Sequence, residues 1–377
     1  MHSARSCPAA KPRLLYLMHV DWRWIKQRPQ FLAEHLSADY EVQVLHRFLP
    51  FGGKRPSRSD LPVHLAPLLP VPWSWKPVRQ VTKALQRAWI AAAAYRFQPD
   101  VIWLTHPSLF DALPRSLRRL PTVYDCMDDA LEFRASAGRL TLLAHLEREL
   151  VTHSAMTICS SDCLRRRLIA RYGPAAEGKI FLVRNAIAPS LLEKDRGAYG
   201  RQSLKTPFRV SYFGTIAEWF DFDLLLAVLE RHPNLEFHLA GPVITSARPR
   251  HSRLKFHGPL AHDDLALFAS QADALMMPFH VTPLTEAVDP VKLYEYLAFG
   301  AEILCVRYAE VDRFEPFVHF YTGREEFLRL ISQLERGVLN RKNLRERTSA
   351  FLQENTWNSR ARDIATLVRS CGAPALI

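Results

Sequence analysis

The sequence predicts an α/β protein of two domains, each built on a parallel β-sheet. Short apolar runs such as residues 13–20 and 274–277 are bounded by polar or turn residues, as expected of strands covered on both faces. Amphipathic helical segments follow these runs along the chain. RLLYLMHVDWRW and FRVSYFGTIAEW share one plan of apolar strand, short loop and tryptophan, which indicates two similar halves. With 377 residues, each half can bury a core of its own.

In the first domain, the apolar runs predict seven strands with helices between them. The strands are expected at 13–20, 41–47, 63–66, 100–104, 121–124, 155–159 and 179–183. The helices are expected from Pro29 to about Leu36, from Pro77, from about Leu140 to His153 and from Ser161. A polar segment with Gly197 and Gly200 follows, so we assign residues 1–187 to the first domain and 188–206 to a linker.

The second domain is expected to span residues 207–355, followed by a last helical segment at 356–377. Its strands are predicted at 208–213, 236–240, 254–256, 274–277 and 301–306. Its helices are predicted from Pro290 to the stop at Gly300 and at 324–336, 340–353 and 356–370.

Composition and charge restrict the class of protein. With 48% hydrophobic and 23% charged residues, the chain is typical of a soluble globular protein, and no apolar run is long enough to span a bilayer. Six scattered cysteines favour a reduced, cytoplasmic setting. The net charge of +12 arises in residues 1–200, with 29 Lys and Arg against 17 Asp and Glu. A basic half favours a phosphate-bearing partner, and in the absence of a nucleic-acid motif we expect a membrane or a pyrophosphate-bearing acceptor.

Residues 289–300 have the pattern of an anion site at the start of a helix. Asp289 is expected to cap the helix, with Pro290 as its first residue. The backbone N–H groups and the dipole at this end favour negative charge, and Lys292 adds a positive charge in the first turn, which suits a diphosphate. Glu295, one turn on, offers two acceptor oxygens to a vicinal diol such as a ribose. The alternative is an ordinary amphipathic helix with a well-formed start.

Several motifs together resemble one enzyme family. DPVKLYEYLAFGAEI is similar to the donor-binding helix of family 4 glycosyltransferases of GT-B architecture, especially the teichuronic acid and exopolysaccharide branch. The other matching motifs are HVDWRWIKQRPQFLAEHL, TVYDCMDD, VRNAI, YFGTIAEWFD and FHGPLAHDDL, in the order of that branch. The resemblance implies two facing Rossmann-like domains with a central cleft and a C-terminal helix that crosses back to the N-terminal domain, with Trp357 at the crossing.

The resemblance implies that the second domain binds a nucleotide-diphosphate sugar, with a UDP-sugar favoured and no cofactor or metal required. The glycine at 214 lets a phosphate approach the backbone, and the loop at 257–260 would hold the base, although Gly-Pro is also an ordinary turn. In the family, seven residues separate an earlier glutamate from the one at the position of Glu295, but Ala287 occupies the earlier position here, with Glu286 beside it. The implied donor-binding residues are Gly214, Thr215, His257, Gly258, Pro259, Leu260, Glu286, Asp289, Pro290, Val291, Lys292, Leu293 and Glu295.

The first domain is expected to bind the acceptor at the carboxyl edge of its sheet. The expected acceptor-binding residues are His19, Asp21, Trp22, Lys26, Arg28, Asp129 and Asn185. Trp22 and Trp24 could instead pack locally, with the bases solvated. The expected catalytic residues are Asp125, Asp128, His106 and Lys292. One of the three aspartates at 125–129 is expected only to cap a helix, and Met127 stands where many relatives have a histidine.

Residues 73–89 combine bases with apolar side chains. The bases Lys76, Arg79, Lys83 and Arg87 lie among Trp73, Trp75, Leu85 and Trp89, a pattern that suits peripheral contact with an anionic membrane. Alternatively, the face that contains Val78, Val81, Ala84, Leu85 and Ala88 covers the sheet.

We therefore expect a hexosyltransferase that transfers a sugar to a glycan or lipid-pyrophosphate-linked acceptor in exopolysaccharide or lipopolysaccharide synthesis, at the inner face of the membrane. Retention of configuration is expected, and inversion is the alternative if Asp125 or Asp128 acts as a base. A sugar-nucleotide epimerase of the same fold and a non-catalytic protein that binds lipid or nucleic acid are the competing hypotheses.

Overall fold

A computed structural model describes residues 10–48, 61–68, 76–193, 207–261 and 264–370. The chain divides into two compact units. The first unit comprises residues 1–183 and 360–377, and the second comprises residues 184–359. The sequence placed this first boundary at residue 187.

The first unit is a parallel α/β sheet, as predicted. Its strands, in sheet order β3-β2-β1-β4-β5-β6-β7, are bounded as follows in chain order: β1 Arg13–Met18, β2 Glu41–Arg47, β3 His64–Leu68, β4 Val101–Leu104, β5 Thr122–Cys126, β6 Met156–Cys159 and β7 Ile180–Leu182. Its helices are α1 Arg28–Leu36, α2 Lys76–Phe97, α3 Pro107–Ala112, α4 Ala137–His153 and α5 Asp162–Tyr172. The central strands β4, β5 and β6 are buried along their whole length, because helices cover both faces.

The second unit contains a six-stranded parallel sheet in the order β10-β9-β8-β11-β12-β13. The strands are β8 Phe208–Phe213, β9 Leu235–Ala240, β10 Leu254–Gly258, β11 Ala274–Met277, β12 Glu302–Val306 and β13 His319–Tyr321. The helices are α6 Pro189–Glu193, α7 Phe222–Arg231, α8 Leu265–Ser270, α9 Val291–Phe299, α10 Arg324–Glu335, α11 Arg345–Glu354 and α12 Trp357–Ser370. The fold class predicted from the sequence is thus confirmed for both halves.

The strand order reverses once in each sheet, between β1 and β4 in the first unit and between β8 and β11 in the second. The connections on the two sides of such a switch point leave the sheet in opposite directions, so a crevice opens at the carboxyl edge. Any ligand site is expected at these two places.

Helix α12 begins in the second unit and belongs to the first unit from Arg360 onward. At its start, Trp357 is fully buried and its backbone N–H donates to the Ile187 carbonyl at 3.1 Å. Ile187 in turn donates to the Asn355 carbonyl at 2.9 Å. The segment around Ile187 and the start of α12 are therefore held together by backbone hydrogen bonds.

The apolar stripe of α2 does not cover the sheet, so that alternative is wrong. Val81 is 61% and Leu85 is 55% exposed, and Trp89, one further turn along, is 44% exposed. The buried positions of this helix include Gln86, Ile90 and Ala94 on another face. Trp73 and Trp75, at the predicted entrance of the helix, lie outside the described residues. No helix in the described part of the chain combines the length and apolarity needed to cross a membrane.

Candidate active site

In the second unit, glycines bring the backbone close together at the switch point. Gly214 follows β8 with a φ of +138°, and Gly241 follows β9 with a φ of +135°. A Cβ on Gly241 would lie 1.9 Å from the Gly214 carbonyl oxygen, so only glycine fits there. A Cβ on Gly214 would lie 1.9 Å from Cε of Lys292. The lysine side chain therefore lies directly across the backbone of Gly214.

The helix predicted to form the anion site is present, but it begins one residue later than expected. Pro290 is the N-cap and α9 starts at Val291, and no side chain caps this end. Lys292 lies in the first turn, with Nζ 5.9 Å from the ring centre of Tyr212 and 6.0 Å from that of Phe279. Gly300 ends the helix with a φ of +72°, as predicted. The positive end of α9 and its lysine thus meet the glycine loop after β8.

Asp289 is not a helix cap, which corrects the sequence prediction. Its buried carboxylate pairs with Arg313 and accepts hydrogen bonds from the Asn185 backbone at 2.7 Å and the Tyr294 hydroxyl at 3.2 Å. The Asn185 side-chain amide donates to the Asp289 carbonyl. Both oxygens of Asp289 are thus engaged in the fold, and Asn185 belongs to the second unit. The predicted roles of Asp289 in donor binding and of Asn185 in acceptor binding lack support from this geometry.

Glu295 lies one turn after Val291, at the helical position that its spacing predicted, and it is buried. Burial raises the pKa of its carboxyl group to about 7, and the nearby Lys292 ammonium opposes this increase. Glu286 lies half-buried in a short 3-10 helix, Thr285–Ala287. Of the two glutamates, only Glu295 is held within the same helix as Lys292.

The 257–260 loop reaches the same edge through its backbone. The Gly258 carbonyl accepts from the Gly241 N–H at 2.7 Å, and Gly258 has a φ of +70°. The exposed His257 ring lies 3.0 Å from the Nδ1 atom of His238, and His238 in turn contacts Glu236. Thr215 accepts from the Tyr212 hydroxyl through its carbonyl at 2.7 Å. The contact between Gly241 and Gly258 joins the carboxyl ends of β9 and β10, beside the loop after β8.

In the first unit, two predicted histidines meet at the switch point. His19 follows β1 and His106 follows β4, and their ring centres are 4.9 Å apart. Burial lowers the pKa of His19 to about 4, with a further contribution from Arg47. Burial lowers the pKa of His106 well below its usual value, and the neighbouring His19 and Arg139 lower it further. Both imidazoles are therefore neutral at pH 7.

These histidines line a cavity of about 590 Å³ at the carboxyl edge of the sheet. Asp128, the third predicted residue at this place, also lines it. The sequence analysis did not assign the basic residues of the wall to this site, because they come from four separate segments. They are Arg47, Arg79, Lys83, Arg134 and Arg139. Only the excess of positive charge in the first half of the chain pointed to them.

Two of the three clustered aspartates are buried and form ion pairs with arginines. Asp125 is fully buried, and its Oδ1 accepts from Arg28 Nε at 2.8 Å. Burial raises the pKa of Asp125, and the Arg28 charge opposes the increase. Asp129 pairs with Arg167 at 3.1 Å and with Arg171 at 2.6 Å. Neither Asp125, Arg28 nor Asp129 lines the cavity, so their predicted roles in acceptor binding and catalysis lack geometric support.

The remaining residues predicted in the first loop have local partners. Asp21 is buried against Arg23 at 2.6 Å, and Lys26 pairs with Glu34 at 2.5 Å. Trp22 is buried, and its backbone N–H donates to His46 at 3.3 Å. The alternative considered from the sequence therefore holds for Trp22 but not for Trp24, which is 37% exposed, nor for the bases, since Lys26 is paired and Arg28 is buried.

Comparisons with known proteins agree with this architecture. Residues 25–186 match the family described as glycosyl transferase 4-like domain, and residues 223–366 match the family described as glycosyl transferase-like. The chain is 23% identical over 282 residues to the putative teichuronic acid biosynthesis glycosyltransferase TuaH of Bacillus subtilis (strain 168), covering 70% of each chain.

Two solved structures have a similar fold. The first is HepE of Anabaena in complex with UDP and glucose, with a TM-score of 0.68, 15% identity and coverage of 95% of this chain and 100% of that one. The second is sucrose-phosphate synthase of Thermosynechococcus elongatus, with a TM-score of 0.71, 16% identity and coverage of 96% and 99%.

Two parallel-sheet units, each with a candidate site at its switch point, define a two-domain enzyme of GT-B architecture. Both units match glycosyltransferase families. The chain therefore belongs to the glycosyltransferases of the GT-B type.

Proposed function

We propose that this glycosyltransferase transfers a sugar from a UDP-sugar, held by the second unit, to a glycan or lipid-linked acceptor held by the first. The observation that carries the proposal is the position of Lys292, across Gly214 and in the first turn of α9. An ammonium group and a helix N-terminus directed at one backbone crevice suit the two phosphates of a nucleotide diphosphate.

In this proposal the fixed charge of Lys292 and the dipole of α9 stabilise the departing diphosphate. Glu295 accepts hydrogen bonds from the ribose, and the backbone of the 257–260 loop holds the base. The choice of UDP is supported by the UDP complex of HepE. Among the described residues, no cluster of His, Cys, Asp and Glu is placed to hold a metal ion; metal independence remains part of the proposal.

Retention of configuration is the proposed stereochemistry. Asp125 and Asp129 are both buried and paired with arginines. Asp128 is the carboxylate of this cluster that lines the cavity. An inverting enzyme requires a base beside the acceptor hydroxyl. A mechanism in which the diphosphate oxygen assists the incoming hydroxyl requires no such base; Asp128 is the candidate base of the inverting alternative.

Substitution of Lys292 tests the donor site. We expect Lys292→Ala to lower kcat by about 100-fold to 1000-fold, the typical effect of removing one group that stabilises transition-state charge. The circular dichroism spectrum is expected to be unchanged, because the lysine is half-buried and not in the core. Lys255→Ala, at an exposed lysine of β10, is the matched control and is expected to retain activity. Equal turnover and equal UDP affinity in the Lys292 variant and wild type would refute the proposed site.

The cell-surface role is proposed from the relationship to TuaH, whose name assigns it to teichuronic acid biosynthesis. Such a role implies work at the inner face of the cell membrane. The exposed stripe of α2 supports it, because Val81, Leu85 and Trp89 recur every four residues and exposed Arg87 lies beside them. An amphipathic helix of this kind binds an anionic surface through apolar burial and charge together.

The membrane contact can be tested by vesicle sedimentation. We expect the double variant Leu85→Ser/Trp89→Ser to lose binding to phosphatidylglycerol vesicles, and wild-type binding to weaken with salt as surface charges are screened. Leu267→Ser, at a leucine of α8 that is 65% exposed, is the control for lost surface hydrophobicity. Binding that is the same for all three proteins would exclude the α2 stripe as the contact.

A further inference from the structure

The cavity of the first unit, called the basic cavity below, carries more positive charge than its walls neutralise. Five cationic side chains line it, Arg47, Arg79, Lys83, Arg134 and Arg139, against two carboxylates, Asp111 and Asp128. Gathering like charges around one cavity is unfavourable unless an anion is bound there. The excess of cations therefore points to a ligand.

Two carboxylates cannot balance five cations, so the residues that line the cavity retain an excess of positive charge. Lys83 pairs with Asp111, whose backbone carbonyl also accepts from Arg87 at 2.8 Å. Arg47, at the end of β2, is exposed and has no carboxylate partner among the described residues. Its charge acts on the two histidines instead, since it helps to lower the pKa of both.

The neutral histidines add hydrogen-bonding groups without adding charge. The Ser108 backbone N–H donates to His106 Nδ1 at 3.1 Å, so the proton of neutral His106 lies on Nε2. The Thr105 hydroxyl oxygen lies 2.8 Å from His19 Nδ1, so Nδ1 of His19 is engaged within the protein. The pair therefore offers the His106 Nε2–H as a donor and the second ring nitrogen of His19 as a further hydrogen-bonding group for a sugar hydroxyl.

The number of charges distinguishes between anions. A uronic acid carries a single negative charge, whereas a phosphate monoester carries about 1.5 to 2 at neutral pH. Guanidinium groups also match phosphate oxygens in pairs. A cavity of about 590 Å³ holds a phosphorylated sugar or a diphosphate with room for part of its substituent.

We propose that the basic cavity binds the phosphate or diphosphate group of the acceptor substrate, which the five cations neutralise while the histidine pair contacts the acceptor sugar. This inference rests on the proposed function, since it identifies the chemical class of the acceptor. Arg79 and Lys83 line the cavity from α2, and Val81, Leu85 and Trp89 of the same helix are exposed. When α2 contacts a membrane through these exposed side chains, the phosphate group of a lipid-linked acceptor lies close to the cavity that Arg79 and Lys83 line.

The test is calorimetric titration of inorganic pyrophosphate into the full chain in saturating UDP, which occupies the proposed donor site. We expect wild type to bind pyrophosphate, and Arg47→Gln and Arg134→Gln each to weaken binding by about tenfold or more, since a charge-assisted hydrogen bond is worth at least about 1.5 kcal/mol. Arg115→Gln, at an exposed arginine of the same unit that does not line the cavity, is expected to bind as wild type does.

Absence of pyrophosphate binding in saturating UDP, or binding that the two cavity variants leave unchanged, overturns the proposal. UDP affinity is measured separately, so loss of the donor site in Lys292→Ala is distinguishable from loss of the basic cavity. A competition arm then identifies the source of the phosphate. Stronger displacement of pyrophosphate by a short prenyl diphosphate indicates a lipid-linked acceptor, and stronger displacement by glucose 6-phosphate indicates a soluble sugar phosphate.

Discussion

Glu295 is a carboxyl group held in a place that disfavours its charge. It is buried in α9, and its pKa of about 7 reflects that burial. A glutamine would fill the same volume without the free-energy cost of burying a carboxylate. The presence of glutamate therefore indicates a role that needs a carboxylate when the donor is bound. Stability and function are therefore expected to oppose each other at this residue.

We predict that Glu295→Gln is more stable than wild type above neutral pH but binds the donor more weakly. Because the folded-state pKa lies above the unfolded value of 4.5, the carboxyl group favours folding below about pH 4.5, and this contribution disappears as pH rises through about 7. At about pH 8 the variant is expected to gain up to about 3 kcal/mol, and near pH 4 none. Thermal unfolding at both pH values measures the difference; an equal difference at the two would contradict the assignment.

At the scale of the element, α9 owes its position to contacts that its own sequence does not contain. Asp289 precedes the helix, pairs with Arg313 and receives the Asn185 N–H, so three distant segments meet at the start of α9. This arrangement holds the lysine-bearing turn against the glycine loop. The local pattern predicted a helix start here, but it assigned Asp289 to capping because a cap is the common use of an aspartate before a proline.

Removal of the Asp289 carboxylate is expected to destabilise the second unit. Asp289→Ala leaves Arg313 largely buried without its carboxylate partner and should cost about 3–5 kcal/mol, the typical cost of breaking a buried pair. Asp312→Ala breaks the half-exposed pair with Arg307 and should cost less than about 1 kcal/mol. Chemical denaturation of both variants gives the comparison. Similar losses would mean that the pair with Asp289 does not anchor α9.

At the scale of the whole molecule, the first unit is discontinuous in sequence. Strands β1 to β7 form its sheet, and α12 joins it from Arg360 onward, after the second unit in the sequence. Ile364 and Val368 of α12 are buried, so the first unit requires the end of the chain for part of its core. Its complete core can form only after the rest of the chain has been synthesised.

A chain that ends at Ser359 is therefore expected to have a weakened first unit. Loss of the buried Ile364 and Val368 should destabilise it by roughly 3–6 kcal/mol. Hydrogen exchange followed by mass spectrometry should show faster exchange in β1 to β7, with less change in β8 to β13. A chain ending at Ser370 retains α12 and serves as the control. If the shorter chain exchanges as slowly as the control, α12 is not part of the first core.

The sequence by itself determined the two parallel-sheet domains, the glycine at the end of β8, and the helix that presents Lys292 and Glu295. Each depends on residues close together in the chain, where periodicity and turn chemistry act. Only the tertiary structure decided which charged side chains pair within the core and which line a cavity. Asp125 and Arg28 lie 97 residues apart and neutralise each other in the core. The five cations of the basic cavity come from segments between Arg47 and Arg139. Charges act through space, so their partners depend on the folded arrangement of the whole unit.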